Sequence, residues 1–144
     1  MSGEIVVGIG TDGSGKAAAM YGASLASRLG VGMVLVFGYE SSALAPSRGP
    51  MEEQIESIGD ELTADVRAAI SSAHPDVRVD VELVRDRPAE SLVRVAAARN
   101  AEMIVVGHGG AGPLRAALLG STTYELVHLG PAPILVVPDS DSES

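Results

Sequence analysis

VVGHGGAGPLRAALLGSTTYELVHLGPAPILVVP, running from Val105 to Pro138, decides the fold. It enters on an apolar run, Met103 to Val106, and crosses a Gly-rich arc. It then opens a short helix at Ser121 to Leu129 and closes on a second apolar run, Ile134 to Val137, between Pro133 and Pro138. Neither apolar run alternates with polar residues, so each reads as a strand buried on both faces. A strand, a helix and a second strand in that order form a right-handed crossover unit of a parallel sheet.

The same unit recurs towards the N-terminus. Glu4 to Ile9 is a β-branched run bounded by glycines, and Ser14 to Leu29 is an Ala-rich helix with Ala18, Gly22, Leu25 and Leu29 at helical spacing. Gly30 is its C-terminal stop. Val31 to Phe37 is the second strand, and Ser41 to Pro50, with two prolines and a glycine, is a loop. Met51 to Ala73 repeats Ile55, Ile58, Leu62, Val66, Ala69 and Ile70 on one helix face, leaving Glu52, Glu53, Glu56, Asp60 and Glu61 to solvent. Val77, Val79, Val81 and Leu83 alternate with Arg78, Asp80 and Glu82, which predicts an edge strand with one wet face. Pro88 to Ala98 is a helix with proline in its first turn.

These elements predict one α/β domain over residues 1–138: a doubly wound, five-stranded parallel sheet with helices on both faces, for which the order 3-2-1-4-5 is taken as the expectation. Residues 139–144 carry no apolar side chain and are expected to be a disordered acidic tail. In that order strands one and four lie side by side where the winding reverses, and ligands of such folds bind in the crevice there. The loops leaving those strands are Gly10 to Gly15 and Gly107 to Gly112.

Composition narrows the ligand. The 144 residues carry a net charge of −9 and 3% aromatic residues, a poor match to nucleic acid, which needs positive potential and stacking platforms. No apolar run approaches the ~20 residues that span a bilayer, and there is no cysteine, so the expectation is a soluble, cytoplasmic protein. A small phosphate ligand stays open, because backbone N–H groups and a divalent cation can supply positive potential locally. His74, His108 and His128 lack metal-ligand spacing.

Three glycine patterns compete for the phosphate. Gly8, Gly10 and Gly13 fit the dinucleotide fingerprint, but Asp12 would face the pyrophosphate, and Glu40 falls 27 residues past Gly13 instead of about 20. Gly10, Gly15 and Lys16 resemble a P-loop, yet Ala17 stands where a magnesium-binding hydroxyl is required. A purely structural reading makes this loop a tight turn with Asp12 or Ser14 as helix N-cap. The third pattern is Gly107, Gly110, nine residues, then Gly120 and Ser121. Gly107 and Gly110 let a phosphate chain approach the backbone, while Ser121, Thr122 and Thr123 open a helix whose first N–H groups favour an anion. Here the purely structural alternative is a capping box, Thr122 with Glu125. Arg115, inside the arc, could neutralise a terminal phosphate, and Asp12 is the acid available to Mg²⁺.

That spacing, with Gly-Thr-Asp-Gly-Ser after the first strand and the closing Pro-Ile-Leu-Val-Val-Pro, resembles the nucleotide-binding branch of the universal stress protein family over Glu4 to Pro138. The resemblance implies an adenine nucleotide alpha hydrolase-like fold and ATP as ligand, with cyclic AMP as a competitor. Thr11 and Asp12, following Gly10, would meet the ribose and adenine, with Gly38 near the adenine. Val106, Gly107, Gly110, Gly120, Ser121, Thr122 and Thr123 would hold ribose and phosphates. Two departures stand out: Gly10 replaces a frequent proline, and His108-Gly109 replaces Ser-His. The implied role is that of a stress-response sensor or regulator, since no general base or activated nucleophile can be assigned beside the γ-phosphate. A slow Mg-dependent hydrolase and a non-nucleotide stress-response dimer are the alternatives. The apolar fifth strand at the sheet edge calls for a cover, and a homodimer through Ile134 to Val137 supplies one, as the resemblance also implies.

Overall fold

Five runs rich in aliphatic residues form one parallel sheet: β1 (Ile5–Ile9), β2 (Met33–Tyr39), β3 (Val79–Arg85), β4 (Met103–Gly107) and β5 (Ile134–Val137), in the order β3-β2-β1-β4-β5. The computed structural model describes residues 3–10, 14–40, 50–108, 120–130 and 132–138. The expected loop at 41–49 and tail at 139–144 lie outside them. Register is fixed at the centre, where Val6 of β1 faces Val34 of β2 and Ile104 of β4. All three are fully buried, as strands covered on both faces require.

Helices α1 (Lys16–Leu29) and α2 (Pro50–Ala73) cover one face of the sheet, and α3 (Pro88–Arg99) and α4 (Ser121–Leu129) cover the other. The first face packs Ile5, Val7, Met33, Leu35 and Phe37 beneath the small residues Ala18, Ala19, Ala23 and Ala26 of α1. Small side chains here bring the α1 backbone close to the sheet. The second face packs Val6, Val34, Val36, Ile104 and Val106 against Leu92, Val95 and Leu126. Each fully buried aliphatic side chain stabilises the fold by roughly 1.5–3 kcal/mol through burial alone.

Several expected boundaries and faces shift. The second strand runs from Met33 to Tyr39 instead of Val31 to Phe37, so Gly38 lies inside it. Pro50 opens α2 instead of closing a loop. The third strand starts at Val79 instead of Val77 and ends at Arg85. The buried stripe of α1 is rotated towards Ala19, Ala23 and Ala26, leaving Leu29 exposed. On α2, Ile58 is exposed and Gly59 takes its expected place, because a Cβ at Gly59 would stand 2.8 Å from the Phe37 ring. Glu56, expected in the solvated series, accepts a hydrogen bond from the buried Tyr39 hydroxyl.

The expected wet face of β3 stays partly exposed, with the side chains of Asp80 and Glu82 each 37% exposed beneath one arginine. Arg99 of α3 donates to Asp80 at 2.9 Å and to Glu82 at 2.8 Å. It also donates to the buried Glu4 at 2.8 Å, while Arg78 donates to the other Glu4 oxygen at 2.5 Å. The Arg99 hydrogen bond holds the Asp80 carboxyl below its ordinary range, with Arg78 adding to the effect. These charges tie β1, β3 and α3 together at the end of the sheet where the strands begin.

Candidate functional site

A cleft of about 330 Å³ opens at the other end, where the strands finish. It lies over the boundary between β1 and β4, the point at which the order of the sheet reverses. Gly8, Ile9 and Gly10 from the end of β1 contribute to its lining. Val36, Pro88, Leu92 and Val106 provide apolar surface, and Gly107 with Gly120, Ser121, Thr122 and Thr123 provides backbone and hydroxyl groups. One part of the cleft thus suits a flat apolar ring, and another suits an anion.

Local geometry explains why these residues converge. Gly15 is the N-cap of α1, with φ 106°, and a Cβ there would sit 2.5 Å from the Gly8 carbonyl oxygen. Only glycine fits that left-handed, crowded position. This corrects the expected cap at Asp12 or Ser14: Ser14 instead uses its carbonyl to accept from the Gly10 N–H at 2.9 Å, closing the turn. The neighbouring Gly38 is glycine for packing, since a Cβ there would stand 2.5 Å from the Ser91 hydroxyl oxygen.

The fourth strand hands over to α4 through two pins. The Gly120 N–H donates to the His108 carbonyl at 3.2 Å, and the Thr123 hydroxyl donates to the Gly107 carbonyl at 3.2 Å. The N-cap of α4 is Gly120, which rules out the alternative of a capping box at Thr122: that residue sits two positions inside the helix, and Glu125 binds Arg87. Thr123 is buried with its hydroxyl engaged by Gly107, so the expected trio of hydroxyl donors reduces to Ser121 and Thr122. The first N–H groups of α4 have no acceptor within the helix, and the helix dipole adds positive potential at that end. Among the described residues a Cβ at Gly107 would meet nothing within 4 Å, so the wall they form beside these groups is open.

Of the residues singled out from sequence, Gly10, Gly38, Val106, Gly107, Gly120, Ser121, Thr122 and Thr123 line this single cleft. Thr11, Asp12, Gly110 and Arg115 lie outside the described residues. Sequence reasoning did not assign Val36, Pro88 or Leu92 to the site. They are ordinary core types: Val36 is in the cleft by its position on β2, and Pro88 and Leu92 by the path of α3 across the sheet. A wider hollow of about 590 Å³ lies at the opposite end, lined in part by Glu4, Asp76, Arg78 and Arg99. Its charges are engaged with one another or with Ser27, which makes it a structural joint. Among the described residues there is no cluster of three His, Cys, Asp or Glu for a metal ion, and no helix long and apolar enough to cross a membrane.

Comparison with known proteins agrees with this geometry. The model of the universal stress protein family matches residues 1–138. A universal stress protein of Mycolicibacterium smegmatis is 32% identical over 131 residues, covering 90% of this chain and 44% of the relative. The chain therefore spans less than half the length of that relative. Among solved structures, a universal stress protein in complex with cAMP superposes with a TM-score of 0.72 at 20% identity, covering 95% of this chain and 98% of the other. The universal stress protein from Archaeoglobus fulgidus in complex with dAMP gives 0.72 at 18% identity, covering 95% and 99%. The fold, the position of the cleft and the family match over nearly the whole chain lead to one assignment: the chain belongs to the universal stress protein family.

Proposed function

We propose that the cleft between β1 and β4 binds an adenine nucleotide, with ATP as the ligand, and that the protein acts as a stress-response sensor or regulator. The observation that carries this reading is the open backbone at Gly107 beside the first turn of α4, where an anion would meet unsatisfied N–H groups. The apolar surface at Val36, Leu92 and Val106 suits the base. Related proteins solved with cAMP and with dAMP support an adenine ring as the shared feature.

Thr11 and Asp12 are proposed to reach the ribose and Mg²⁺, and Gly110 and Arg115 the phosphates. In the bound state Mg²⁺ would neutralise part of the phosphate charge that an acidic chain otherwise repels. The protein is also proposed to form a homodimer through β5, whose outer edge carries no neighbouring strand among the described residues.

Native mass spectrometry of the purified protein, followed by calorimetric titration with Mg-ATP, cAMP and adenosine, tests the reading. The expected result is a co-purifying adenine nucleotide or saturable ATP binding, lost in Gly107→Val without loss of fold. Absence of binding by all three ligands would overturn it.

A further inference from the structure

The cleft is bordered by the first turns of two helices, and one arginine joins them. Arg87 precedes Pro88 as the N-cap of α3, with an extended backbone and a half-exposed side chain. Its Nη2 donates to the Glu125 carboxylate of α4 at 2.6 Å, and its Nε lies 3.5 Å from the Glu90 carboxylate. That Glu90 oxygen is buried and makes no hydrogen bond among the described residues, so the guanidinium is the cation it faces. The neighbouring Asp86 is engaged by Arg94.

Glu125 lies four residues after Ser121 and three after Thr122, about one turn, on the same side of α4 as the groups that line the cleft. Helical side chains lean towards the N-terminus, which carries the Glu125 carboxylate towards the mouth where an anion would enter. A carboxylate there offsets the positive potential that the helix N-terminus offers an anion unless its own charge is cancelled. Arg87 is held on both sides by carboxylates, an arrangement suited to cancelling charge more than to reaching a ligand.

We propose that Arg87 masks the Glu125 carboxylate, and that this pair sets how well the cleft accepts a polyphosphate nucleotide relative to an uncharged nucleoside. The inference rests on the nucleotide reading above. Arg87 is thus a positioning residue that acts through Glu125.

Calorimetric titration of the full chain with Mg-ATP and with adenosine, at low ionic strength and at about 0.5 M salt, tests it. Arg87→Gln is expected to weaken ATP by about three- to tenfold at low salt while leaving adenosine unchanged, because only a charged ligand feels the exposed carboxylate. The deficit should shrink at high salt. Arg87→Gln/Glu125→Gln should return ATP affinity to the wild-type value, and Arg87→Lys should keep most of it. Equal loss of ATP and adenosine in Arg87→Gln, or failure of the double variant to recover ATP binding, would overturn masking while leaving the site reading intact. Wild-type protein that bound neither ligand would overturn both.

Discussion

The hydroxyl of Thr123 donates to the carbonyl of Gly107 across 3.2 Å, fastening the first turn of α4 to the last residue of the strand before it. Thr123 is buried, while the bond itself is partly buried at the edge of the cleft. Thr123→Val keeps the shape and removes the donor, leaving the carbonyl without that partner. The expected cost is about 1 kcal/mol, with weaker ATP binding because the N–H groups of α4 lose their fixed position. Urea denaturation and titration on the same sample check both. Unchanged stability would mean that the bond is not maintained in solution.

Two glycines of the cleft should respond in opposite ways to one added methyl group. At Gly38 a Cβ would stand 2.5 Å from Ser91 Oγ, 2.9 Å from Ser91 Cβ and 3.1 Å from the Pro88 Cα. Gly38→Ala must therefore displace the start of α3, at an expected cost of about 1–3 kcal/mol. At Gly107 a Cβ meets nothing within 4 Å among the described residues, so Gly107→Ala should leave stability within about 0.5 kcal/mol and act on the ligand alone. Thermal melts with and without Mg-ATP separate the two. A Gly107 variant as unstable as the Gly38 variant would contradict the assigned roles.

The contrast shows what sequence could and could not reveal. Apolar runs without alternation are a strong local signal, and β1, β4 and β5 follow from Ile5 to Ile9, Met103 to Val106 and Ile134 to Val137 with little ambiguity. The alternation of strands and helices implies a parallel sheet but allows more than one strand order; the expected 3-2-1-4-5, which fixes the location of the cleft, is the one the structure adopts. The helix faces were less legible. An Ala-rich helix has almost no hydrophobic contrast around its axis, so the buried stripe of α1 could not be oriented from Leu25 and Leu29. Gly59 looked unremarkable because its reason is the Phe37 ring, which is distant in sequence. Glycines within a short span marked one wall of the cleft, but Pro88 and Leu92 reach it only through tertiary packing.

Arg99 is the keystone of the charged joint at the far end of the sheet. It serves Glu4, Asp80 and Glu82 at once, and its removal leaves the buried Glu4 with the exposed Arg78 as its one ion-pair partner among the described residues. Arg99→Met should cost about 1–3 kcal/mol near neutral pH. The pH dependence has a definite sign. The Asp80 carboxyl is held low, chiefly by the Arg99 hydrogen bond, so its contribution is full above the unfolded value of about 3.9. It is lost as pH falls through the lower folded value. The gap in stability between wild type and Arg99→Met should therefore narrow below about pH 4. Denaturation curves at stepped acidic pH check this, and a gap that widened on acidification would contradict it.

The fifth strand poses a problem that a second copy would solve. Ile134 to Val137 pair with β4 along one edge, and among the described residues no strand of the chain covers the other. An apolar edge of this kind invites pairing, and the simplest partner is the same strand across a two-fold axis. Wild-type protein is expected to run at twice the chain mass in size exclusion with light scattering at micromolar concentration. Val136→Lys introduces a charge that two copies would bring face to face, and it should shift the population to monomer. Val136 also packs against the second core face, so circular dichroism of the variant must accompany the measurement. A folded Val136→Lys protein that remained dimeric would place the interface elsewhere. A wild-type monomer at the same concentration would mean that the edge is covered in another way.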